Sequence, residues 1–297
     1  MKRMRKTEEC NICKSNKFKV LVPRDVYWNG WINDVVRCLE CELVFRVFLP
    51  ENKIISWTYK SQLSNSPDYP ADLSPGRVAI LTECANCISR FRNLNRILDV
   101  GAGTGFFLKI CKEKRWGVWG VEKNIHLVEI ADREHDIKIK NGNYEDTNFP
   151  ENFFDVVSFL NVIEHLSDPL AALKKAYYLL RPGGGILLRF PNASFHVPLY
   201  ILSRKISKLP GKIKFNKSSV IYHYAYSNKT IKRCLTNIGF RNIILKNSAT
   251  LHQKNSSINI YRPCITFGLN KILANLVHRL SFGNLYIGSS LIVTANK

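Results

Sequence analysis

Four cysteines near the start of the chain stand as two pairs, Cys10-Asn-Ile-Cys13 and Cys38-Leu-Glu-Cys41, with 24 residues between them. Thiolates three positions apart on a tight turn hold two corners of a tetrahedron, and a second such turn supplies the other two. The spacing therefore predicts a structural Zn2+ bound by Cys10, Cys13, Cys38 and Cys41, with no position left open for water. Further on, Asp99-Val-Gly-Ala-Gly-Thr-Gly105 places Gly101, Ala102, Gly103 and Gly105 between an apolar run and Phe106-Phe-Leu-Lys-Ile-Cys111. Strand, glycine turn and helix N-terminus make a nucleotide-sized site at the carboxyl edge of a sheet. No glycine falls at 106, where a dinucleotide fingerprint needs one. Glu122 follows 17 residues after Gly105, and a carboxylate there suits the two hydroxyls of a ribose. Asp99 would hold the glycine turn or an ammonium group. His165 and His223 are the candidates for taking a proton near neutral pH.

These groups need elements to hold them. Apolar runs predict strands over 96–100, 117–121, 137–140, 154–160, 185–190, 241–247 and 287–294. Helical spacing falls near 75–91, 104–115, 125–134, 168–181, 228–238 and 264–280. Strand and helix in alternation mean an α/β fold, a mostly parallel sheet with helices on both faces. Asp168-Pro169 marks a helix start and Arg181-Pro-Gly-Gly its stop. Phe18-Lys-Val-Leu-Val22 and Val35-Val-Arg37 predict a small hairpin between the cysteine pairs, too little core to fold without a metal. The chain so divides into a zinc-ribbon-like module at 1–50, a linker with helices at 51–92, and a main domain at 93–297. The linker, with Trp57, Tyr59 and Tyr69, is a candidate lid. Cys84 and Cys87 share a helix without a partner pair and are expected to pack.

Read in order, Leu98-Asp-Val-Gly-Ala-Gly-Thr-Gly105, Glu122, Phe153-Phe-Asp-Val-Val157, Glu164-His-Leu166 and Leu180-Arg-Pro-Gly-Gly-Gly185 resemble the class I S-adenosylmethionine (SAM) dependent methyltransferases. The resemblance implies a Rossmann-like seven-stranded sheet whose last strand, here Ser290-Leu-Ile-Val-Thr294, is inserted antiparallel. It implies SAM as cofactor, held by Asp99, Gly101, Ala102, Gly103, Gly105 and Glu122. It further implies Asn143 and Tyr144 about the adenine and Asn161 beneath the transferred methyl. Many relatives carry Asp where this chain has Asn143. The stretch Tyr222-His-Tyr-Ala-Tyr-Ser227 is similar to the segment that closes the acceptor side in relatives, which favours His223, beside His165, as base or acceptor contact. The N-terminal ribbon looks like that of a bacterial-type subgroup acting on sugars or other small metabolites. Neither the Asn-Pro-Pro-aromatic signature of base-amine enzymes nor the Pro-Cys of cytosine C5 enzymes follows strand 154–160. A methyl acceptor that is a small molecule or glycan, most readily at oxygen, is the expectation.

The 297 residues carry 44 Lys and Arg against 23 acids, a net charge of +21. SAM is itself a net cation, so this excess does not serve cofactor capture; it points to an anionic acceptor, an acidic membrane surface or nucleic acid. The segment 191–227 is expected to be the acceptor-side insertion. Within it Arg204, Lys205, Lys208, Lys212, Lys214 and Lys217 stand among Leu, Ile and Phe with no acid, which suits a phosphate-bearing acceptor or peripheral contact with anionic lipid. RNA is a second reading of the acceptor, although Lys outnumbers the Arg and exposed aromatics that RNA stacking uses. A non-catalytic SAM-binding or zinc-bearing interaction module is a third. No run reaches the roughly 18 apolar residues of a membrane helix, and the charged start lacks a secretory h-region. The expected place is the cytoplasm, peripheral to the membrane where the basic segment meets it.

Overall fold

The computed structural model describes residues 9–26, 32–48, 74–206, 221–248, 265–281 and 285–297. The candidate lid at 51–73 and the lysines at 208–217 lie outside them. In chain order the elements are β1 (Phe18–Val26), β2 (Ile32–Cys38), β3 (Val44–Phe48), α1 (Pro75–Cys87), β4 (Arg96–Val100), α2 (Phe106–Glu113), β5 (Gly117–Glu122) and α3 (Ile125–His135). There follow β6 (Lys140–Asn141), β7 (Phe154–Leu160), α4 (Pro169–Leu179), β8 (Leu180–Pro191), α5 (Ala193–Ile206), β9 (Tyr224–Ala225), α6 (Asn228–Ile238), β10 (Arg241–Ser248), α7 (Ile265–Leu280) and β11 (Ser290–Asn296). The expected elements are present, with shifted ends. The edge strand expected at 137–140 reduces to β6, because only its last residues reach Val121 and Glu122, while Ile137 and Ile139 turn into the core.

Seven strands form one sheet in the order β10-β11-β8-β7-β4-β5-β6. The pairs β4/β5, β4/β7, β5/β6 and β7/β8 are parallel. The strand β11 is inserted antiparallel between β8 and β10. The central strands are apolar on both faces, as a parallel sheet between helices requires. Leu98, Val100, Val157, Phe159, Ile186 and Leu188 face one core with α4 and α6. Ile97, Val156 and Leu187 face the other, with α1 and α2. Helix ends follow the local chemistry: Asp168 caps α4 by accepting from Ala171 N, ahead of Pro169, and Ser227 caps α6 by accepting from Thr230 N. Buried Asp155 accepts from the amides of Asn93 (3.3 Å) and Arg96 (3.1 Å) and pairs with Arg181. That contact ties the bulge after α4 to the start of β4.

A second sheet runs β1-β2-β3-β9, antiparallel throughout. Its hairpin was legible; its fourth strand was not. The strand β9 comes from the stretch carrying His223, so the N-terminal sheet is completed by residues 224–225. Cys10, Cys38, Cys41, Leu43 and Phe45 bury in the same core as α4 and α6. Thr230 Oγ1 on α6 donates to Cys41 O (3.1 Å), and Arg233 on the same helix donates to Glu40 O. No helix among the described residues is long and apolar enough to cross a membrane.

Candidate cofactor and acceptor site

Five parallel strands, β4 to β8, end at one edge, and the glycine turn leaves β4 there. Gly101 N and Ala102 N both donate to Val121 O, at 2.8 and 3.1 Å, which folds the turn back onto β5. Gly101, Gly103 and Gly105 hold φ of 69°, 55° and 74°, a region that disfavours any side chain. They do different work. A Cβ at Gly101 would lie 2.6 Å from Val162 Cγ2, and one at Gly105 would lie 3.0 Å from Ala131 Cβ, so both keep the turn against neighbours. A Cβ at Gly103 would meet nothing within 4 Å among the described residues. Glycine there leaves room for a ligand.

Two carboxylates border that room. Glu122 Oε2 accepts from Gly103 N and Oε1 from Asn124 N, both at 3.0 Å. Each oxygen keeps a lone pair for a further donor, which fits the ribose role. Asp99 is 3% exposed and accepts from Ser158 Oγ at 2.6 Å. Burial, with the charge of Glu122, pushes its carboxyl up to about 7 against the opposing Ser158 bond. A buried acid held so near neutrality is relieved by a cationic group, such as the ammonium of SAM. The open cradle at Gly103 and these two acids fit SAM.

The loop after β6 closes one side. Asn141 Nδ2 donates to Glu122 O (3.0 Å) and Lys123 O (3.2 Å). Asn143 Nδ2 donates to Asp146 Oδ2 at 3.0 Å. Lys175 of α4 donates to the carbonyls of Tyr144, Glu145 and Thr147 at 2.6–2.9 Å and fixes the loop from behind. Tyr144 sits differently from Asn143. It is 3% exposed, edge-on to Phe159 at 5.7 Å, so its ring supports the loop from within the core.

The other side is built after β7 and β8. Asn161, at φ 59°, accepts from Arg189 NH1 at 2.6 Å. Glu164 is 2% exposed, and neither carboxylate oxygen has a hydrogen-bond partner among the described residues; burial pushes it up to about 8. The segment 222–226 runs along 163–168: Tyr224 N donates to Glu164 O (3.3 Å), Tyr224 Oη to Ser167 O (3.2 Å) and Tyr226 Oη to Ile163 O (3.4 Å). The Tyr222 ring packs against His165, with centroids 4.3 Å apart and planes tilted by 58°. The two candidate histidines thus come together. Burial lowers both to about 4, assisted at His165 by His223 and Lys123, and at His223 by Arg46 and Lys123. Both imidazoles are neutral at physiological pH, the state that accepts a proton.

The four cysteines converge as their spacing predicts. Cys10 Sγ lies 3.4 Å from Cys41 Sγ and Cys13 Sγ 3.5 Å from Cys38 Sγ, with all four sulfurs within 4.8 Å of one another. A tetrahedron with Zn–S of about 2.3 Å has edges of about 3.8 Å. The two turns are copies of one geometry. Cys10 N donates to Ser15 O and Lys14 N to Cys10 O; Cys38 N donates to Leu43 O and Glu42 N to Cys38 O. Lys14 and Glu42 both take φ near 60°. The donor set and both turns fit Zn2+. Cys84 is buried, and Cys87 accepts from Lys246 Nζ at 3.7 Å, so this pair packs α1.

Lys123, Val162 and Arg46 escaped the sequence reading, and Tyr222 and Glu164 entered it only as members of motifs. Ser158 carried a signal, a hydroxyl inside an otherwise apolar strand. Arg46 carried none, because its partners are far away in sequence.

Comparison with known proteins agrees with this geometry. The family described as "Methyltransferase domain" matches residues 76–245. The ubiquinone biosynthesis O-methyltransferase of Coxiella burnetii is 26% identical over 111 residues, which are 36% of this chain and 47% of that protein. An uncharacterized methyltransferase of Schizosaccharomyces pombe is 36% identical over 109 residues, 31% of this chain and 38% of its own. The chain spans about half the length or less of these curated relatives. The crystal structure of a SAM-dependent methyltransferase from Archaeoglobus fulgidus superposes with a TM-score of 0.51 at 18% identity, over 74% of this chain and 94% of that one, a likeness of fold.

Proposed function

The chain belongs to the SAM-dependent methyltransferases, and on that premise we propose that it moves the methyl group of SAM to a hydroxyl of a small-molecule or glycan-type acceptor. The observation that carries this reading is the convergence of His165 and His223 past the ends of β7 and β8, where Tyr224 N donates to Glu164 O and Tyr222 packs on His165. Methyl transfer is an in-line displacement in which a hydroxyl acceptor must lose its proton. SAM, when bound, supplies the electrophilic methyl. This chain's residues do the rest. Glu122 would hold the ribose, Asp99 the ammonium, and the backbone at Gly101–Gly105 the methionine portion. Asn143 would face the adenine through its carbonyl oxygen, Tyr144 would brace that loop from within, and Asn161 would border the transferred methyl. His223 is assigned as base or acceptor contact, with His165 beside it. That a relative is an O-methyltransferase by name supports oxygen as the acceptor atom.

Cys10, Cys13, Cys38 and Cys41 would hold a structural Zn2+ with no open position for chemistry. The acceptor is read as anionic or lipid-borne. The helix α5 turns Phe195, Leu199 and Leu202 outward and ends on Arg204 and Lys205, the composition of a surface that meets phosphate or anionic lipid. The test is a screen of methyl-labelled SAM with nucleotide sugars, glycans, phenols in anionic vesicles, and RNA. Label in an alkali-stable ether on a small hydroxyl acceptor, reduced by His223→Gln with SAM binding retained, is the expected result. Transfer to RNA alone, or to nitrogen alone, overturns the reading.

A further inference from the structure

We propose that Arg46 on β3 is a positioning residue for His223 and Tyr222, which makes the four-cysteine sheet one wall of the acceptor site. The proposal rests on the reading above for which face receives the acceptor. Its geometry stands by itself. The strand β3 pairs antiparallel with β9, Val44 opposite Ala225 and Phe45 opposite Tyr224. One residue further, Arg46 N donates to His223 O at 3.0 Å. The side chain of the same residue turns back, and its Nε donates to Ile221 O at 2.8 Å. Arg46 therefore grips the backbone on both sides of Tyr222, whose ring packs against His165.

The rest of the guanidinium is anchored with little freedom. It is buried, with NH1 on Asp25 Oδ2 (2.6 Å) and on Asn33 Oδ1, and NH2 on Tyr200 Oη at 3.0 Å. Asp25 lies on β1, Asn33 on β2 and Tyr200 on α5, so four elements and the 221–225 segment meet on one planar group. Arg204 Nε also reaches Asp25 Oδ1 at 2.9 Å. A five-donor fork can serve carboxylate, amide, hydroxyl and carbonyl together; a lysine ammonium cannot span them. The charged and titratable groups facing His223 are Arg46 from β3, Lys123 after β5 and His165 after β7.

The experiment uses the full chain with SAM and follows the imidazole resonances of His165 and His223 by NMR across pH, with SAM affinity from calorimetry in parallel. Arg46→Lys keeps the charge and loses the fork. The expected result is displaced ring resonances for both histidines, as Tyr222 leaves His165, with SAM affinity within about twofold of wild type. Arg46→Gln removes the charge, and His223 is expected to titrate about one pH unit higher. Should that variant fail to fold, Tyr200→Phe removes one anchor and is expected to displace the His223 resonance by less, with SAM affinity kept. Unchanged imidazole resonances in the folded variants overturn the proposal. So does a loss of SAM affinity that parallels their displacement, which would make Arg46 a support of the whole fold. A failed acceptor screen overturns the functional reading and leaves these resonances untouched.

Discussion

Two glycines of the same turn should respond to the same substitution in opposite ways. Gly103→Ala places a methyl where no atom of the described residues lies within 4 Å. The left-handed backbone, at φ 55°, costs about 1–2 kcal/mol for a residue with a Cβ, and no clash adds to it. If that space receives SAM, the methyl stands in the ligand's place, and SAM affinity should fall at least about tenfold, or 1.4 kcal/mol. Gly101→Ala bears a similar backbone cost at φ 69° and also drives its methyl to 2.6 Å from Val162 Cγ2. Overpacking of this kind costs about 1–3 kcal/mol more. Urea unfolding should therefore show Gly101→Ala as the less stable protein. Val162→Ala in that background should recover about the overpacking part, a coupling that a double-mutant cycle reads directly. Calorimetry with SAM completes the comparison. The reasoning fails if Gly103→Ala binds SAM like wild type, or if Gly101→Ala is no less stable than Gly103→Ala.

Further outcomes follow from the buried acids and the cysteines. Glu164, raised to about 8, keeps its proton in the folded chain while the unfolded chain releases it above its ordinary value of about 4.5. The native state then binds more protons, so stability falls as pH rises from about 4.5 to 8 and levels off above. Glu164→Gln should remove a fall on the order of 5 kcal/mol across that range, measured by urea unfolding at stepped pH. Asp99, raised to about 7, falls in the same direction, while His165 and His223, lowered to about 4, contribute a rise between about pH 4 and 6.5, so the Glu164 contribution is read as the difference between wild type and variant. An equal slope in wild type and variant contradicts the burial argument. Metal analysis of the purified protein should find about one zinc per chain, and a chelator should lower the melting temperature. A chain without zinc and indifferent to chelator contradicts the assignment of Cys10, Cys13, Cys38 and Cys41.

The parallel sheet was legible because its strands are continuous apolar runs separated by helix signals such as Asp168-Pro169 and by glycine turns. The inserted strand β11 followed from resemblance, not periodicity, since an apolar run says nothing about direction. Spacing within 41 residues was enough for the cysteine cluster, where both turns are local. The join between β3 and β9 was not legible. It couples Val44 to Ala225, and a two-residue strand leaves no periodic trace. Burial was equally hidden: Tyr144 reads like a ligand-facing aromatic, yet its ring lies against Phe159. The pairing of His165 with His223 depended on the Tyr222 ring packing against His165, a contact between residues far apart in sequence.

The central claim, that SAM lies on the turn with its ribose on Glu122, is tested most directly by calorimetry of wild type and Glu122→Ala against SAM and against NAD. Two charge-assisted hydrogen bonds to ribose hydroxyls, at about 1.5–3 kcal/mol each, predict SAM binding at one site per chain that weakens at least about tenfold in the variant, with no comparable binding of NAD. NAD binding in place of SAM, or SAM affinity unchanged by Glu122→Ala, contradicts the account.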